Sequence, residues 1–151
     1  MVSIKHPQLL LVDDDPLISE SLAFMLGDEF DVMTAASRPD TKRALNNPSA
    51  PPNIALIDLG LPPNPHDPAE GFALIAELLA VNRDMKILVL SGQSDRANIQ
   101  HALTLGAVDF IPKPCDPDLL KSRLNHQLLI LDAENNQQEK TDDQTQSLLG
   151  E

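Results

Sequence analysis

Five short apolar runs, each followed by a polar or turn residue, constrain the fold of this chain more than any other feature of its sequence. They occupy residues 9–12, 30–34, 54–57, 87–90 and 107–111. The stretches between them carry apolar residues at helical spacing. Because two parallel strands can be joined only by a long crossover, usually a helix, this alternation predicts a parallel sheet covered by helices.

The ends of the helices also leave signals in the sequence. Gly27 and Gly106 are placed to stop the first and fourth helices, because glycine accommodates the backbone reversal that often ends a helix. Ser94 or Asp95 is placed to cap the fourth helix. Pro117 falls in the first turn of the last helix, where its missing N–H is not needed. These signals mark ends of the first, fourth and last predicted helices.

Length and composition predict one domain and a tail. A chain of 151 residues with 42% hydrophobic content can bury one compact core. Residues 1–131 contain all the apolar runs and are predicted to form that domain. Residues 132–151 are mostly Gln, Asn, Glu, Asp and other polar residues, a composition that cannot bury a core of its own. They are interpreted as a linker to an absent output domain.

Charge and cysteine content exclude several function classes. A formal charge of -12 opposes direct contact with nucleic acid or with an anionic membrane, so any action on DNA would be indirect. A single cysteine allows no intrachain disulfide. No apolar run approaches the roughly 20 residues that cross a bilayer. The chain is expected to be cytoplasmic, with no membrane partner.

Polar residues follow the apolar runs where chemistry is expected. In an open parallel sheet, ligands bind beyond the carboxyl ends of the strands, so these residues share one rim. The rim residues are Asp13, Asp14, Asp15, Asp58, Ser91 and Lys113. Crowded carboxylates repel one another unless a cation joins them, and a set of oxygen ligands suits Mg²⁺. The sequence therefore predicts a magnesium site formed by acids of the first and third strands.

The same rim suits phosphoryl transfer. A carboxylate such as Asp58 can attack phosphorus, and the reaction then needs mainly in-line positioning and cations on the equatorial oxygens. Mg²⁺ and the Lys113 ammonium would supply those cations, and the Ser91 hydroxyl could bond a phosphoryl oxygen. Taken singly, each residue has a simpler interpretation, since an Asp after a strand is often only a helix cap. Their joint position on one rim favours the chemical interpretation.

Four segments in this order carry a family resemblance: LLLVDDDP, ALIDLGLP, ILVLSG and GAVDFIPKP. They resemble the receiver domain of two-component response regulators, over about residues 8–131. The resemblance implies a flavodoxin-like α/β fold, with a doubly wound parallel sheet of five strands in the order 2-1-3-4-5 and five helices. It implies that the domain accepts a phosphoryl group and is a signalling domain, not an enzyme beyond its own phosphorylation and dephosphorylation.

The resemblance also assigns roles to individual residues. It implies that Asp58 is the phosphoacceptor. The metal ligands would be Asp13, Asp14, Asp58 and the backbone carbonyl of Gly60, with Mg²⁺ as the cofactor. The residues that bind phosphate or switch conformation would be Ser91, Lys113 and Phe110. The bond between Lys113 and Pro114 matches a position where the family often has a cis peptide.

Partners follow from the resemblance as well. A sensor histidine kinase would donate the phosphoryl group. A homodimer would form through the face of the fourth helix, fifth strand and fifth helix, or through an extended last helix. The DLGLPP segment and the long loop at 62–71 are similar to NtrC-like enhancer-binding activators of the PEP-CTERM/exosortase-associated type, and residues 147–151 resemble the lead-in to their ATPase. This implies transcription regulation, with DNA contacted only by the absent output domain.

Three other functions compete with this interpretation. A magnesium-dependent phosphohydrolase with an aspartyl nucleophile would use Asp13 and Asp15, which have the required spacing, but it would leave Asp58 without a role. A nucleotide-binding module is disfavoured because neither GxxxxGK[ST] nor GxGxxG is present. A receiver that acts only as a binding scaffold is disfavoured because every residue that the chemistry needs is present.

Overall fold

A computed structural model describes residues 6–46, 51–92 and 96–149, and for Ser91 and residues 137–149 it describes the backbone alone. The strands are β1 Gln8–Val12, β2 Asp31–Ala35, β3 Ile54–Asp58, β4 Lys86–Ser91 and β5 Asp109–Pro112. The helices are α1 Pro16–Leu26, α2 Arg38–Leu45, α3 Ala69–Val81, α4 Arg96–Leu105 and α5 Pro117–Leu149. Strands and helices alternate along the whole domain, as the apolar runs predict.

The five strands form one parallel sheet in the order β2-β1-β3-β4-β5. From β1 the chain places β2 on one side and then β3 to β5 on the other, so the strand order reverses between β1 and β3. Ligands of such sheets bind at this point. This strand order and the five helices confirm the predicted fold class.

Both faces of the sheet are buried because neighbouring residues of its central strands are apolar. Leu9 and Leu11 contact the core beneath α1 and α5, which also contains Leu22 and Leu124. Leu10 and Val12 point to the opposite face and join the core beneath α2, α3 and α4. Successive strand residues face opposite sides, so a continuous apolar run is what a sheet covered on both faces requires.

Local signals set several helix ends. The Asp15 carboxylate accepts a hydrogen bond from the Leu17 N–H, which caps α1. At the end of α4, Gly106 has φ +123°, a conformation that favours glycine. Asp116 caps α5 by accepting a hydrogen bond from the Asp118 N–H. The predicted cap of α4 at Ser94 or Asp95 lies outside the described residues.

The last helix is longer than the apolar pattern indicates. Among the residues whose side chains are described, up to Asn136, Leu131 is the last buried one, but the backbone stays helical to Leu149. Glu134 pairs with Lys86 at the start of β4, with Oε1 2.9 Å from Nζ. The segment interpreted as a linker is thus helical up to Leu149. A polar helix can extend from a domain in this way.

The first turn of α3 lies unusually close to the end of β3. A Cβ atom at Gly71 would lie 2.5 Å from the Leu59 Cα, so only glycine allows this approach without a shift. α3 therefore packs directly against the backbone that follows Asp58.

Among the described residues, no helix combines the length and the apolar character that crossing a membrane requires.

Candidate functional site

Strand register brings the acids of β1 and β3 together. Val12 pairs with Ile57, so the next residues, Asp13 and Asp58, are neighbours at the carboxyl edge of the sheet. Asp58 also pairs with Leu90 of β4, which places Ser91 one residue beyond it. Because parallel strands end at the same edge, the rim predicted from the sequence forms as expected.

Three carboxylates form a cluster at this edge. One oxygen each of Asp13, Asp14 and Asp58 lies within 4.8 Å of the others. Asp13 is 2% exposed and Asp58 is 8% exposed, whereas Asp14 is half-buried. The N–H of Asp15 donates to Asp13 Oδ1 at 2.9 Å. The other oxygen of Asp13, Oδ2, is buried and accepts no hydrogen bond.

Lys113 bridges two of these carboxylates. Its Nζ lies 2.8 Å from Asp13 Oδ2, as an ion pair without hydrogen-bond geometry, and 2.9 Å from Asp58 Oδ2, to which it donates a hydrogen bond. Burial alone would lower the pKa of Lys113, but the interactions with Asp13 and Asp58 outweigh burial and raise the pKa above its ordinary value. Lys113 is therefore charged at neutral pH.

Asp58 is held at both carboxylate oxygens. Oδ2 accepts from Lys113, and Oδ1 accepts from the Gly60 N–H at 3.1 Å. Burial raises the pKa of Asp58, Lys113 opposes that effect, and the charge of Asp13 adds to it, so that the pKa lies above its ordinary value. The ionised carboxylate is thus oriented but costs folding free energy in this surrounding.

The residues of this cluster fit a divalent cation. Three carboxylates and one ammonium leave two negative charges in a mostly buried place. The buried Asp13 Oδ2 lies 2.8 Å from the Lys113 ammonium, so a cation already contacts the carboxylates at the place where a metal ion would bind. Oxygen ligands of this kind are those that Mg²⁺ prefers. The cluster is therefore a candidate magnesium site.

Asp58→Asn is expected to stabilise the metal-free protein at neutral pH. Because the folded-state pKa of Asp58 is raised, its ionisation destabilises the fold, and this cost is present above the raised pKa and absent below the ordinary value of 3.8. In EDTA at pH 7.5, we expect the Tm of the variant to be higher by roughly 2–4 °C, the effect of about 1 kcal/mol in a chain of this size. The gain should vanish as the pH falls toward 4.

Thermal denaturation of both proteins, followed by far-UV circular dichroism across this pH range, tests the prediction. A variant that is less stable than the parent at pH 7.5, or a difference that does not change with pH, would contradict it. Asp15→Asn removes the same charge from a helix cap outside the cluster. Its Tm should change little at any pH in this range, because asparagine can accept the Leu17 N–H through its Oδ1 and is about as good an N-cap as aspartate.

The structure describes the other predicted site residues to different extents. The backbone of Ser91 ends β4 opposite Pro112, and its side chain lies outside the described residues. Phe110 is half-buried and packs against the core beneath α2, α3 and α4. The peptide bond between Lys113 and Pro114 is cis.

Sequence reasoning missed the way in which the long loop after β3 packs. The Pro62–Pro63 bond is also cis. The loop then returns over Gly60, where a Cβ atom would collide with the Pro65 carbonyl oxygen. The proline-rich composition of the loop signalled an unusual path, but it carried no information about which residue the loop would cover.

A comparison with solved structures shows the same fold. The receiver domain protein (CheY-like) from Methanospirillum hungatei superposes with a TM-score of 0.77 and is 27% identical, covering 86% of this chain and 99% of that chain. The likeness therefore covers almost all of that protein and most of this chain.

Curated relatives share the sequence of this domain. The transcriptional regulatory protein AruR of Pseudomonas aeruginosa is 33% identical over 121 residues, which are 78% of this chain and 47% of AruR. A protein-glutamate methylesterase/protein-glutamine glutaminase of Bradyrhizobium diazoefficiens is 34% identical over 110 residues, 71% of this chain and 26% of that protein. The chain spans about half or less of the length of these relatives.

The family described as the response regulator receiver domain matches residues 9–125. The matched region includes β2 to β5, all of β1 except Gln8, and the whole cluster of acids and lysine. With its sheet order, its acidic cluster and these relatives, the chain belongs to the receiver-domain family of two-component response regulators.

Proposed function

We propose that Asp58 is the phosphoacceptor of this receiver domain. The observation that carries the proposal is the state of its carboxylate, which is 8% exposed, hydrogen-bonded at both oxygens and part of the cluster that fits Mg²⁺. Phosphoryl transfer asks a protein mainly to position the nucleophile and to balance charge. Asp58 meets both requirements better than Asp13, whose Oδ2 has no open side toward solvent.

The phosphoryl donor is a histidine kinase, the partner that membership of this family implies. A carboxylate oxygen of Asp58 forms a bond to phosphorus as the bond from phosphorus to the histidine nitrogen breaks, and the neutral imidazole leaves with the kinase. Gly60 and Lys113 hold the carboxylate during the reaction. Lys113, already placed between Asp13 and Asp58, can balance charge on the transferred group.

Asp13, Asp14, Asp58 and the Gly60 carbonyl would hold the Mg²⁺ ion. The bound ion would neutralise the charge that the phosphoryl oxygens bring to a buried acidic site. The charge of the cluster supports this assignment, because without a cation two negative charges remain uncompensated.

Phosphorylation acts as a switch in this proposal. A phosphoryl group adds negative charge and acceptor oxygens, which can draw in the Ser91 hydroxyl and change the environment of Phe110. Both residues lie on or next to the face formed by α4, β5 and α5. Homodimerisation through this face, or through the extended α5, would transmit the state of Asp58.

The output that we propose is regulation of transcription in the cytoplasm. Residues 1–131 would be the receiver and residues 132–151 a linker to an output domain that contacts DNA. The name of AruR supports a transcriptional output, and the DLGLPP segment supports the NtrC-like, PEP-CTERM/exosortase-associated type. In this proposal the domain catalyses only its own phosphorylation and dephosphorylation.

The competing phosphohydrolase scheme is weakened by the position of Asp15. Its carboxylate accepts the Leu17 N–H at 3.0 Å and thus caps α1. It is also outside the cluster of three acids. A second catalytic acid would have to be free to exchange a proton with a substrate.

Acetyl phosphate with and without Mg²⁺ tests the proposed chemistry. We expect an intact-mass gain of about 80 Da, the mass of one phosphoryl group, that requires Mg²⁺ and is removed by hydroxylamine. Asp58→Asn should abolish the gain. Asp15→Asn should retain it, because Asp15 only caps a helix.

The outcomes separate the alternatives. A gain that survives in Asp58→Asn would refute the assignment of the phosphoacceptor. Sustained hydrolysis of p-nitrophenyl phosphate that is lost in Asp15→Asn would establish the phosphohydrolase. Sedimentation of the phosphorylated and unphosphorylated samples tests the output step, and equal dimer affinities would contradict it.

A further inference from the structure

Arg38, the first residue of α2, joins α2 to α3 through two ion pairs. Its Nη1 contacts Glu70 and its Nη2 contacts Glu77. The two glutamates are seven residues apart and lie on one face of α3. The hydrogen bonds that Arg38 donates to Glu77 and, with a smaller effect, to Glu70 raise the pKa of Arg38, so the guanidinium stays charged. We name this set of three residues the α2–α3 bracket.

One end of the bracket leads to Asp58. Glu70 lies next to Gly71, whose Cα is so close to Leu59 that an added Cβ would lie 2.5 Å from the Leu59 Cα. A shift of α3 would therefore move Leu59 and with it Gly60. Gly60 in turn donates its N–H to Asp58 Oδ1 at 3.1 Å.

The other end leads to Asp13. Arg38 follows the connection between β2 and α2, in which Ser37 caps the helix. Two residues before that cap, the Ala35 carbonyl accepts a hydrogen bond from the Asp13 N–H at 3.1 Å. The bracket thus joins α2 to α3, and the segments next to these helices contact the two stretches of backbone that carry the candidate metal ligands, through Ala35 to Asp13 and through Gly71 to Leu59.

We propose that Arg38 is a positioning residue for the magnesium site, which holds the Gly60 side of the site at a fixed distance from the Asp13 side. The inference rests on the proposed function, because it assumes that this cluster binds Mg²⁺. Outer groups that orient metal ligands commonly contribute to metal affinity. Arg38 touches neither the ligands nor the ion and acts only through α3 and the β2–α2 connection.

Electrostatics alone would give the opposite effect. Replacing Arg38 by Gln removes a positive charge near a cation site, which by Coulomb's law would strengthen Mg²⁺ binding. A positioning role predicts weaker binding. The sign of the change therefore distinguishes the two explanations, and Arg43→Gln is a matched control. Arg43 lies on the same helix and pairs with Asp40 at 3.4 Å, but it is outside the bracket.

Mg²⁺ titration of the full chain, followed by NMR of the backbone amides, measures the effect, since the chain has no Trp or Tyr for fluorescence. We expect Arg38→Gln to raise the Kd about fivefold, less than the roughly 10- to 100-fold typical of groups that touch a ligand. Arg38→Lys keeps the charge, but its single ammonium nitrogen cannot contact both glutamates as the two guanidinium nitrogens do, so we expect about a twofold increase in the Kd. Arg43→Gln should leave the Kd unchanged or lower it.

A second readout needs no metal. Hydrogen exchange of the Gly60 amide, relative to that of Leu56 in the core of β3, should be faster in Arg38→Gln and unchanged in Arg43→Gln. Equal acceleration at both amides would show general destabilisation and overturn the inference, as would unchanged Mg²⁺ affinity in Arg38→Gln. If Arg38→Gln does not fold, unchanged affinity in Arg38→Lys overturns it. Failure of the parent protein to bind Mg²⁺ would instead overturn the proposed metal site.

Discussion

Replacing Lys113 by Met is expected to destabilise the metal-free protein by about 3 kcal/mol, the lower end of the range for breaking a buried ion pair by removal of one partner. The Lys113 ammonium is within 3 Å of carboxylate oxygens of both Asp13 and Asp58, at 2.8 and 2.9 Å. The side chains of Asp13 and Asp58 are 0% and 10% exposed, so water would screen little of the repulsion left behind. Methionine retains most of the aliphatic packing.

Mg²⁺ should reverse much of this loss. Without Lys113 the cluster carries three carboxylates and no neighbouring ammonium, so a divalent cation has more charge to neutralise there than in the parent protein. We therefore expect Mg²⁺ to raise the Tm of Lys113→Met by more than it raises that of the parent. Phosphoryl transfer to Asp58 should nevertheless slow, because the ammonium that balances the phosphoryl charge is gone.

Urea denaturation in EDTA and thermal denaturation with and without Mg²⁺, both followed by far-UV circular dichroism, test these two statements. Lys42→Met is the control. Lys42 is 64% exposed and lies 3.8 Å from Glu77, so its replacement should change stability by less than about 1 kcal/mol. A Lys113→Met protein as stable as the parent in EDTA would show that the carboxylates are protonated or solvated, contrary to the ion pairs described above.

Gly71→Ala is expected to destabilise the protein by about 2 kcal/mol although it improves helix propensity. Alanine is favoured over glycine inside a helix by about 1 kcal/mol. Its Cβ, however, would lie 2.5 Å from the Leu59 Cα and 2.7 Å from the Leu59 carbonyl oxygen. Both neighbours are backbone atoms that no rotamer change can move, and overpacking of this kind costs typically 1–3 kcal/mol, here at the upper end. The clash therefore outweighs the propensity.

Gly92→Ala is the control for this substitution, because a Cβ atom at Gly92 would meet no atom of the described residues within 4 Å. Urea denaturation of both variants measures the difference. We also expect Gly71→Ala to slow the phosphorylation of Asp58 by acetyl phosphate, since displacement of Leu59 moves Gly60. Equal stability of the two variants would mean that α3 can shift without cost and that the approach to Leu59 is not a constraint.

Much of the fold could be predicted from the sequence because its signals are local. Leu9 to Val12 are apolar without interruption, as expected for a strand buried on both faces. The position of Asp13 and Asp58 directly after such runs was enough to predict that they meet, since parallel strands end at one edge. The predicted position of the second strand was less accurate. It begins at Asp31 and not at Phe30, which is 2% exposed and belongs to the core.

Other features were beyond sequence reasoning because they depend on distances between elements far apart in the chain. Nothing near Arg38 indicated that it would pair with Glu70 and Glu77. The polar composition after Leu131 was compatible with a linker and did not indicate that the backbone would remain helical to Leu149. Helix propensity alone is a weak guide to the length of a polar segment.

The sequence by itself determined the order of strands and helices, the two apolar faces of the sheet and the set of polar residues at its carboxyl edge. These follow from hydrophobic periodicity, which each segment carries independently. Only the tertiary structure decided how the site is held: Lys113 between Asp13 and Asp58, Gly60 on Asp58, and α3 against Leu59. Such contacts depend on packing to within a fraction of an ångström, which is set by all the elements together.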